Sequence, residues 1–206
     1  MKNTMFIASR LRFRRRIVTA SIAVSYLVMI VAMAVSSGFR SEVSDALSQM
    51  GGDIQLCPSN LNFLDEAQPV DAAPAYLPLL QEVRGVESVE PAVYRAGIVK
   101  TGDDIHGVLV KGVQTGDSVA LDVSIPRRLS EMGGIGVGDK MLTYFVGAKV
   151  KARSFRVASV YDPVIETDER LVVYANIKDM QRLNGWTADK ASMLEVRMKH
   201  QSREEE

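Results

Sequence analysis

Four groups of side chains in this sequence have the types and spacing to do chemistry. Asp103, Asp104 and His106 stand together in a polar turn. Carboxylates and imidazole hold divalent cations when they converge, but a closed site needs a fourth ligand and an outer shell. The only other histidine is His200, far along the chain, so the trio reads as a solvated turn and no metal is expected. Glu166, Asp168 and Glu169 place carboxylates together as acid–base catalysts do, yet acids clustered between two strand-like segments form a solvated face. Gly133-Gly134-Ile135-Gly136-Val137-Gly138 has the glycines of a phosphate loop. It follows a helical segment and leads into a strand, the reverse of a dinucleotide loop, and no Lys-Ser or Lys-Thr pair completes a P-loop. A helix stop and turn is the reading that fits. Cys57 is the single cysteine, which leaves no partner for an intrachain disulfide or a cysteine-based cluster. Nothing near it in sequence would activate the thiol, so it reads as a small apolar residue at a strand end. No catalytic, cofactor-binding or metal-ligating residue is assigned, and a function other than catalysis is expected.

The strongest physical signal is an asymmetry of charge. The 206 residues have a formal net charge of zero. Residues 1–16 nonetheless hold Lys2, Arg10, Arg12, Arg14, Arg15 and Arg16 with no acid, leaving 19 bases against 25 acids in the remainder. A basic arm can bind nucleic acid, but this one abuts an apolar segment rather than a polar linker, so no nucleic acid is expected. From Ile17 to Gly38, 22 residues carry no charged side chain. At about 1.5 Å per residue such a helix spans the roughly 30 Å hydrocarbon layer. Arginines at its start stay on the cytoplasmic side, so Arg10, Arg12, Arg14, Arg15 and Arg16 set the orientation and the body is translocated. Ala32-Met33-Ala34 imitates a signal-peptide cleavage site. The apolar run exceeds a usual signal core, however, and the helical pattern does not stop there, so a retained anchor is expected. Phe39, Val43, Ala46, Leu47 and Met50 recur at helical spacing, with Arg40, Glu42, Asp45 and Gln49 on other faces. The helix therefore continues as an amphipathic stalk to Met50 and ends at Gly51-Gly52. Gly38 permits close helix approach, and Phe39, Val43 and Leu47 form one apolar face for packing. That face either meets a neighbouring helix or covers its own domain; the pattern alone leaves both open.

The rest alternates short elements. Asp53 to Cys57 reads as a strand broken by Pro58, followed by a polar loop to Pro74 and a helix carrying Tyr76, Leu79, Leu80 and Val83 up to Gly85. Val86–Tyr94 and Arg95–Thr101 read as extended segments, turning at Gly102-Asp103-Asp104 into Ile105–Val113 as a hairpin. Pro126 is placed in the first turn of a helix reaching Met132. Lys140–Phe145, Lys151–Tyr161, Arg170–Tyr174 and Met193–Met198 read as strands. Asn176 reads as the N-cap of a helix with Asp179 in the capping-box position, Met180 and Leu183 inward, and Gly185 as its stop.

This order, together with Phe6-Ile7-Ala8-Ser9-Arg10, Ser37-Gly38-Phe39-Arg40, Gly136-Val137-Gly138-Asp139-Lys140 and the run from Leu171 through Asn176 and Asp179 to Leu183, resembles the front half of a MacB-type (type VII) ABC transporter permease. The likeness is to the lipoprotein-releasing branch. It implies an α+β periplasmic domain of two small subdomains with mixed and antiparallel sheets. It also implies a bacterial inner-membrane location, a cytoplasmic ABC ATPase partner, and a second permease copy as homo- or heterodimer. The periplasmic side would meet a carrier or a lipoprotein, and ATP-driven movement would pass along the stalk. The expected organisation is a cytoplasmic basic segment 1–16, a transmembrane helix 17–38 in contact with lipid, a stalk 39–50, an α+β domain 51–199 and a charged tail 200–206. Family permeases continue into three more transmembrane helices, so this chain is expected to be a fragment or a truncated product that would not transport alone. Carrier-recruiting members have an extended hairpin about where this sequence has only Tyr144-Phe145-Val146-Gly147-Ala148-Lys149. The alternative function is a stand-alone single-pass protein with an extracytoplasmic binding or signalling domain.

Overall fold

The computed structural model describes residues 2–59, 68–102, 104–114, 120–147, 149–163 and 171–199, excepting the side chains of 2–16, 45, 46, 49 and 50. The chain falls into two compact units, Met1–Ala46 and Leu47–Glu206.

One helix, α1 (Lys2–Gly51), takes in every described residue of the first unit. It has no proline, and within it Ile17–Ser44 is long and apolar enough to cross a bilayer. The large apolar side chains from Ile17 to Val35 are at least half exposed, which places no protein core against them and makes hydrocarbon their natural surroundings. Ser25 returns its hydroxyl to the Ser21 carbonyl, 3.0 Å away, so its donor is satisfied inside the helix. The helix runs through the Ala32-Met33-Ala34 segment unbroken and stops as the sequence predicts. Gly52 takes φ +72, and its N–H donates to the Ser48 carbonyl at 2.8 Å, a left-handed helix ending that glycine adopts at least cost.

The second unit is mixed α+β. Its strands are β1 (Ile54–Leu56), β2 (Val70–Asp71), β3 (Val86–Thr101), β4 (Asp104–Val113), β5 (Asp122–Pro126), β6 (Lys140–Phe145), β7 (Lys151–Tyr161), β8 (Leu171–Asn176), β9 (Lys190–Ala191) and β10 (Met193–Met198). Three helices punctuate them, α2 (Leu77–Gln81), α3 (Arg127–Gly133) and α4 (Ile177–Asn184). Eight strands form one sheet in the order β1-β10-β3-β4-β8-β5-β7-β6, and β6 also pairs with β3. The last six therefore close into a ring. Closure removes the free edges, and a ring this narrow is filled by its own inward side chains. Alternation supplies them: Val93 and Val99 from β3, Val108 and Val110 from β4, Val173 and Ala175 from β8, Val123 and Ile125 from β5, Phe155 and Val157 from β7, Met141 and Phe145 from β6 are all buried. Phe145 and Phe155 meet edge to face with centroids 6.3 Å apart, the arrangement aromatic quadrupoles favour. Helix α4 lies over the ring with Met180 and Leu183 buried. A Cβ on Gly112 would sit 2.9 Å from Met180 Cγ, so the absence of a side chain there lets helix and strand touch.

Two lobes share β3, giving the pair of small α+β units expected. Residues of β3 up to Ala92 pair with β10, and from Val93 onward they pair with β4. The first lobe, β1, β10, the start of β3 and α2, has its own apolar centre of Val89, Leu194 and Val196 with Leu56, Leu77 and Leu80 against it. The second lobe is the ring.

Several local expectations change. The two extended segments through Tyr94 and Arg95 are one 16-residue strand, because pairing passes without a gap from β10 at Ala92 to β4 at Val93. Helix α2 is a single short stretch ending at Gln81; Gly85, at φ +95, turns the chain into β3 instead of capping it. Pro126 is extended, φ −68 and ψ 145, and precedes α3 as its N-cap. Inside the predicted loop to Pro74, Val70–Asp71 pairs with Lys190–Ala191, two residues too short to leave a pattern. The glycine-rich segment is a helix stop followed by a turn, with Gly134 left-handed at φ 59 and Lys140 opening β6. Asn176 caps α4, accepting from the Lys178 N–H at 2.9 Å, and Gly185 ends it at φ 71. Asp179 is buried, its Oδ2 accepting from the Leu121 N–H at 2.7 Å rather than closing a capping box.

Candidate functional site

The first-named polar groups do not converge. Asp104 opens β4 exposed and His106 is half-buried on the same strand, while Asp103 and His200 lie outside the described residues, as do Glu166, Asp168 and Glu169. Among the described residues no group of three or more His, Cys, Asp or Glu could hold a metal ion. An open cleft of about 400 Å³ is lined by Pro91, Gln114, Asn176, Ile177, Lys178, Gln181 and Ala188. Its amide is committed elsewhere: Gln181 Nε2 donates to the Ala188 and Lys190 carbonyls. Cys57 is exposed just past β1.

What the fold does bring together is a buried polar brace at the seam between the lobes. Glu195 in β10 is 4% exposed and Lys111 in β4 is 2% exposed. Lys111 Nζ donates to Glu195 Oε2 at 2.8 Å, and the Tyr94 hydroxyl donates to Oε1 at 2.5 Å. Tyr94 and Lys111 are direct cross-strand partners, and the ammonium stands 5.4 Å from the Tyr94 ring centroid, within cation–π range. Ala92, Met193 and Leu109 wall the cluster. Burial pushes the Tyr94 phenol far above its ordinary value, with Glu195 adding to the rise. Burial lowers the Lys111 ammonium, against the pull of Glu195. The brace is thus a charged pair kept out of water by its walls, each oxygen of the carboxylate already occupied.

The end of α1 is fastened beside it. Asp53 N–H donates to the Val196 carbonyl at 2.9 Å, and the Met198 N–H donates to Asp53 Oδ2 at 2.7 Å. A Cβ on Gly52 would lie 3.2 Å from Glu195 Cβ and 3.0 Å from the Val196 oxygen. Helix end and β10 therefore meet without slack. On the ring side, buried Arg95 donates to Asn184 Oδ1 at 3.0 Å and Lys151 Nζ to the Leu183 carbonyl at 2.8 Å, two cations at the carboxyl end of α4, where they are favoured.

The residues given an orientation or packing role from sequence all sit on α1. Arg10, Arg12, Arg14, Arg15 and Arg16 lie in its helical start, their side chains outside the description. Gly38 has no atom within 4 Å of where a Cβ would stand. Phe39 is 71% and Leu47 57% exposed, and Val43 is half-buried. Sequence reasoning missed Tyr94, Lys111 and Glu195. Their signal was a charge inside an apolar run, Val108-Leu109-Val110-Lys111 and Met193-Leu194-Glu195-Val196.

No protein-family model matches the chain. The lipoprotein-releasing system transmembrane protein LolC of Xylella fastidiosa strain 9a5c is 25% identical over 184 residues, 79% of this chain. Its counterpart in strain Temecula1 is 24% identical over the same length. In sequence the chain is similar to these two LolC proteins. It spans 44% of the length of these LolC proteins. Two solved structures also align, with low scores. The extracellular domain of the noncanonic ABC-type transporter YknZ from Gram-positive bacteria has a TM-score of 0.45 at 12% identity, covering 70% of this chain and 82% of that one. The periplasmic region of MacB from Actinobacillus actinomycetemcomitans has a TM-score of 0.43 at 13% identity, covering 66% and 71%. Like proteins named as transmembrane components, the chain has a helix, within α1, long and apolar enough to cross a membrane.

Proposed function

We propose that this LolC-like chain is the part of an ABC transporter permease that couples cytoplasmic ATP hydrolysis to movement in the periplasm, for export or lipoprotein release. The observation that carries the reading is α1 itself, one uninterrupted helix from the basic start to the domain's seam. A helix resists bending and compression over its whole length, which suits it to carry displacement rather than substrate. In this scheme residues 1–16 are cytoplasmic and meet a partner ABC ATPase, Arg10, Arg12, Arg14, Arg15 and Arg16 fix orientation, 17–38 crosses the lipid, and 39–50 is the stalk. The domain 51–199 and the tail 200–206 are periplasmic. Exposure of Phe39 and Leu47 favours packing of the stripe with Gly38 and Val43 against a neighbouring helix, in a second permease copy or elsewhere in the complex. The chain supplies no chemistry of its own; hydrolysis belongs to the ATPase, and what is moved is a lipoprotein or other periplasmic substrate. The short connection between β6, which ends at Phe145, and β7, which begins at Lys151, leaves no extended hairpin here for a periplasmic carrier and argues against carrier docking.

The test uses the transporter containing this segment, reconstituted with its ATPase. Val43→Asp combined with Leu47→Asp puts charge on the stripe without touching the domain core. ATP hydrolysis should continue while substrate movement stops. Normal movement in a normally assembled variant would make the stalk a passive tether and favour a single-pass binding or signalling protein.

A further inference from the structure

We propose that Glu195 is a positioning residue: with Lys111 and Tyr94 it braces the seam so that displacement delivered to β10 by the end of α1 moves the six-stranded ring with it. Three facts meet at this carboxylate. The helix end is tied to β10 by the Asp53 bonds to Val196 and Met198. Partners change along β3 between Ala92 and Val93, so β10 itself never pairs with β4. Glu195 nevertheless reaches across β3 to Lys111 on β4, and takes the Tyr94 hydroxyl on the way. The brace thus crosses three strands at the point where the backbone ladder hands over from one lobe to the other.

Energetics favour a positioning role over a merely stabilising one. Both side chains of the pair are nearly inaccessible, 2% and 5%, and desolvating two ions consumes much of what their attraction returns. Well-packed apolar residues would hold such a seam as strongly, but without direction. A short, doubly hydrogen-bonded carboxylate fixes distance and angle. Hydrophobic packing lets the lobes slide.

The proposal rests on the stalk reading above, but its test contains neither ATPase nor substrate, so its failure and that of the permease reading are separate results. The full chain is placed in lipid nanodiscs with nitroxides on Cys57, which is exposed beside β1, and on a Val137→Cys substitution, in the turn before β6 and 65% exposed. Pulsed dipolar spectroscopy then reads the spread of distances between the lobes. Lys111→Met with Glu195→Met keeps bulk and removes both charges, and also takes the acceptor from the Tyr94 hydroxyl; it should still fold, melting below the parent by no more than that one bond, and broaden the distribution about twofold. Tyr94→Phe removes only the phenol bond and should broaden it less. An unchanged width in the folded double variant overturns the brace. Should that variant fail to fold, an unchanged width in Tyr94→Phe overturns it equally.

Discussion

Lys111 and Glu195 are full charges placed where water does not reach, and each is tolerable only because of the other. Removing one partner leaves an uncompensated buried ion, so Lys111→Ala should cost roughly 3–5 kcal/mol in chemical denaturation, whereas the paired methionine replacement should cost less, chiefly the hydrogen bond that the Tyr94 hydroxyl loses. Tyr94, Tyr161 and Tyr174 share a second consequence of burial, all three phenols being raised above 10.0 chiefly by desolvation. Tyr161 also donates to the Val172 carbonyl at 2.7 Å. A group whose folded pKa exceeds its unfolded value holds its proton longer in the native state. Its contribution is therefore complete below pH 10 and is lost as pH rises beyond it. The domain should unfold more easily at pH 11 than at pH 9, and Tyr161→Phe should flatten that slope; a slope unchanged by the substitution would mean that this phenol does not report the burial described.

At the scale of elements, the joint between α1 and β1 is the exacting one. Gly52 needs both a left-handed backbone and room beside Val196 and Glu195. Gly52→Ala should cost roughly 1–2 kcal/mol from the backbone alone, and hydrogen exchange should quicken at Asp53 and Met198, whose amides are held across this joint. Exchange unchanged there would show that the joint has slack. Elements whose cues are local were legible in the sequence. The strands Lys151–Tyr161 and Met193–Met198, the Asn176 cap and the glycine stops at Gly52 and Gly185 all rest on what neighbouring residues do to each other, although in the second strand Glu195, which alternation would turn outward, is buried with Leu194 and Val196. The ring and the brace were not legible, because they depend on partners far apart in the chain. Ile54 pairs with Val196, and nothing in either segment names the other. Lys111 and Glu195 were visible as charges in apolar runs, but only the closed strand order brings them to one seam. What the stripe of Phe39, Val43 and Leu47 packs against could not be read either, since an amphipathic stripe records that something is buried without saying against what.

For the whole molecule, everything turns on a helix that stays attached and a domain that lies across the bilayer from the arginines. Retention is measured by intact mass: the membrane-extracted chain should keep residues 1–34, and a mature start at Val35 would remove anchor and stalk together. Orientation has a native reporter in Cys57, exposed at the end of β1. In intact spheroplasts a membrane-impermeant maleimide should modify Cys57. A Ser9→Cys, Cys57→Ser variant should resist the reagent until the membrane is opened, if the proposed orientation, with the arginines on the cytoplasmic side, holds. Labelling of position 9 in sealed spheroplasts, with Cys57 protected until lysis, would place the domain on the wrong side of the membrane and contradict a permease component that works in the periplasm.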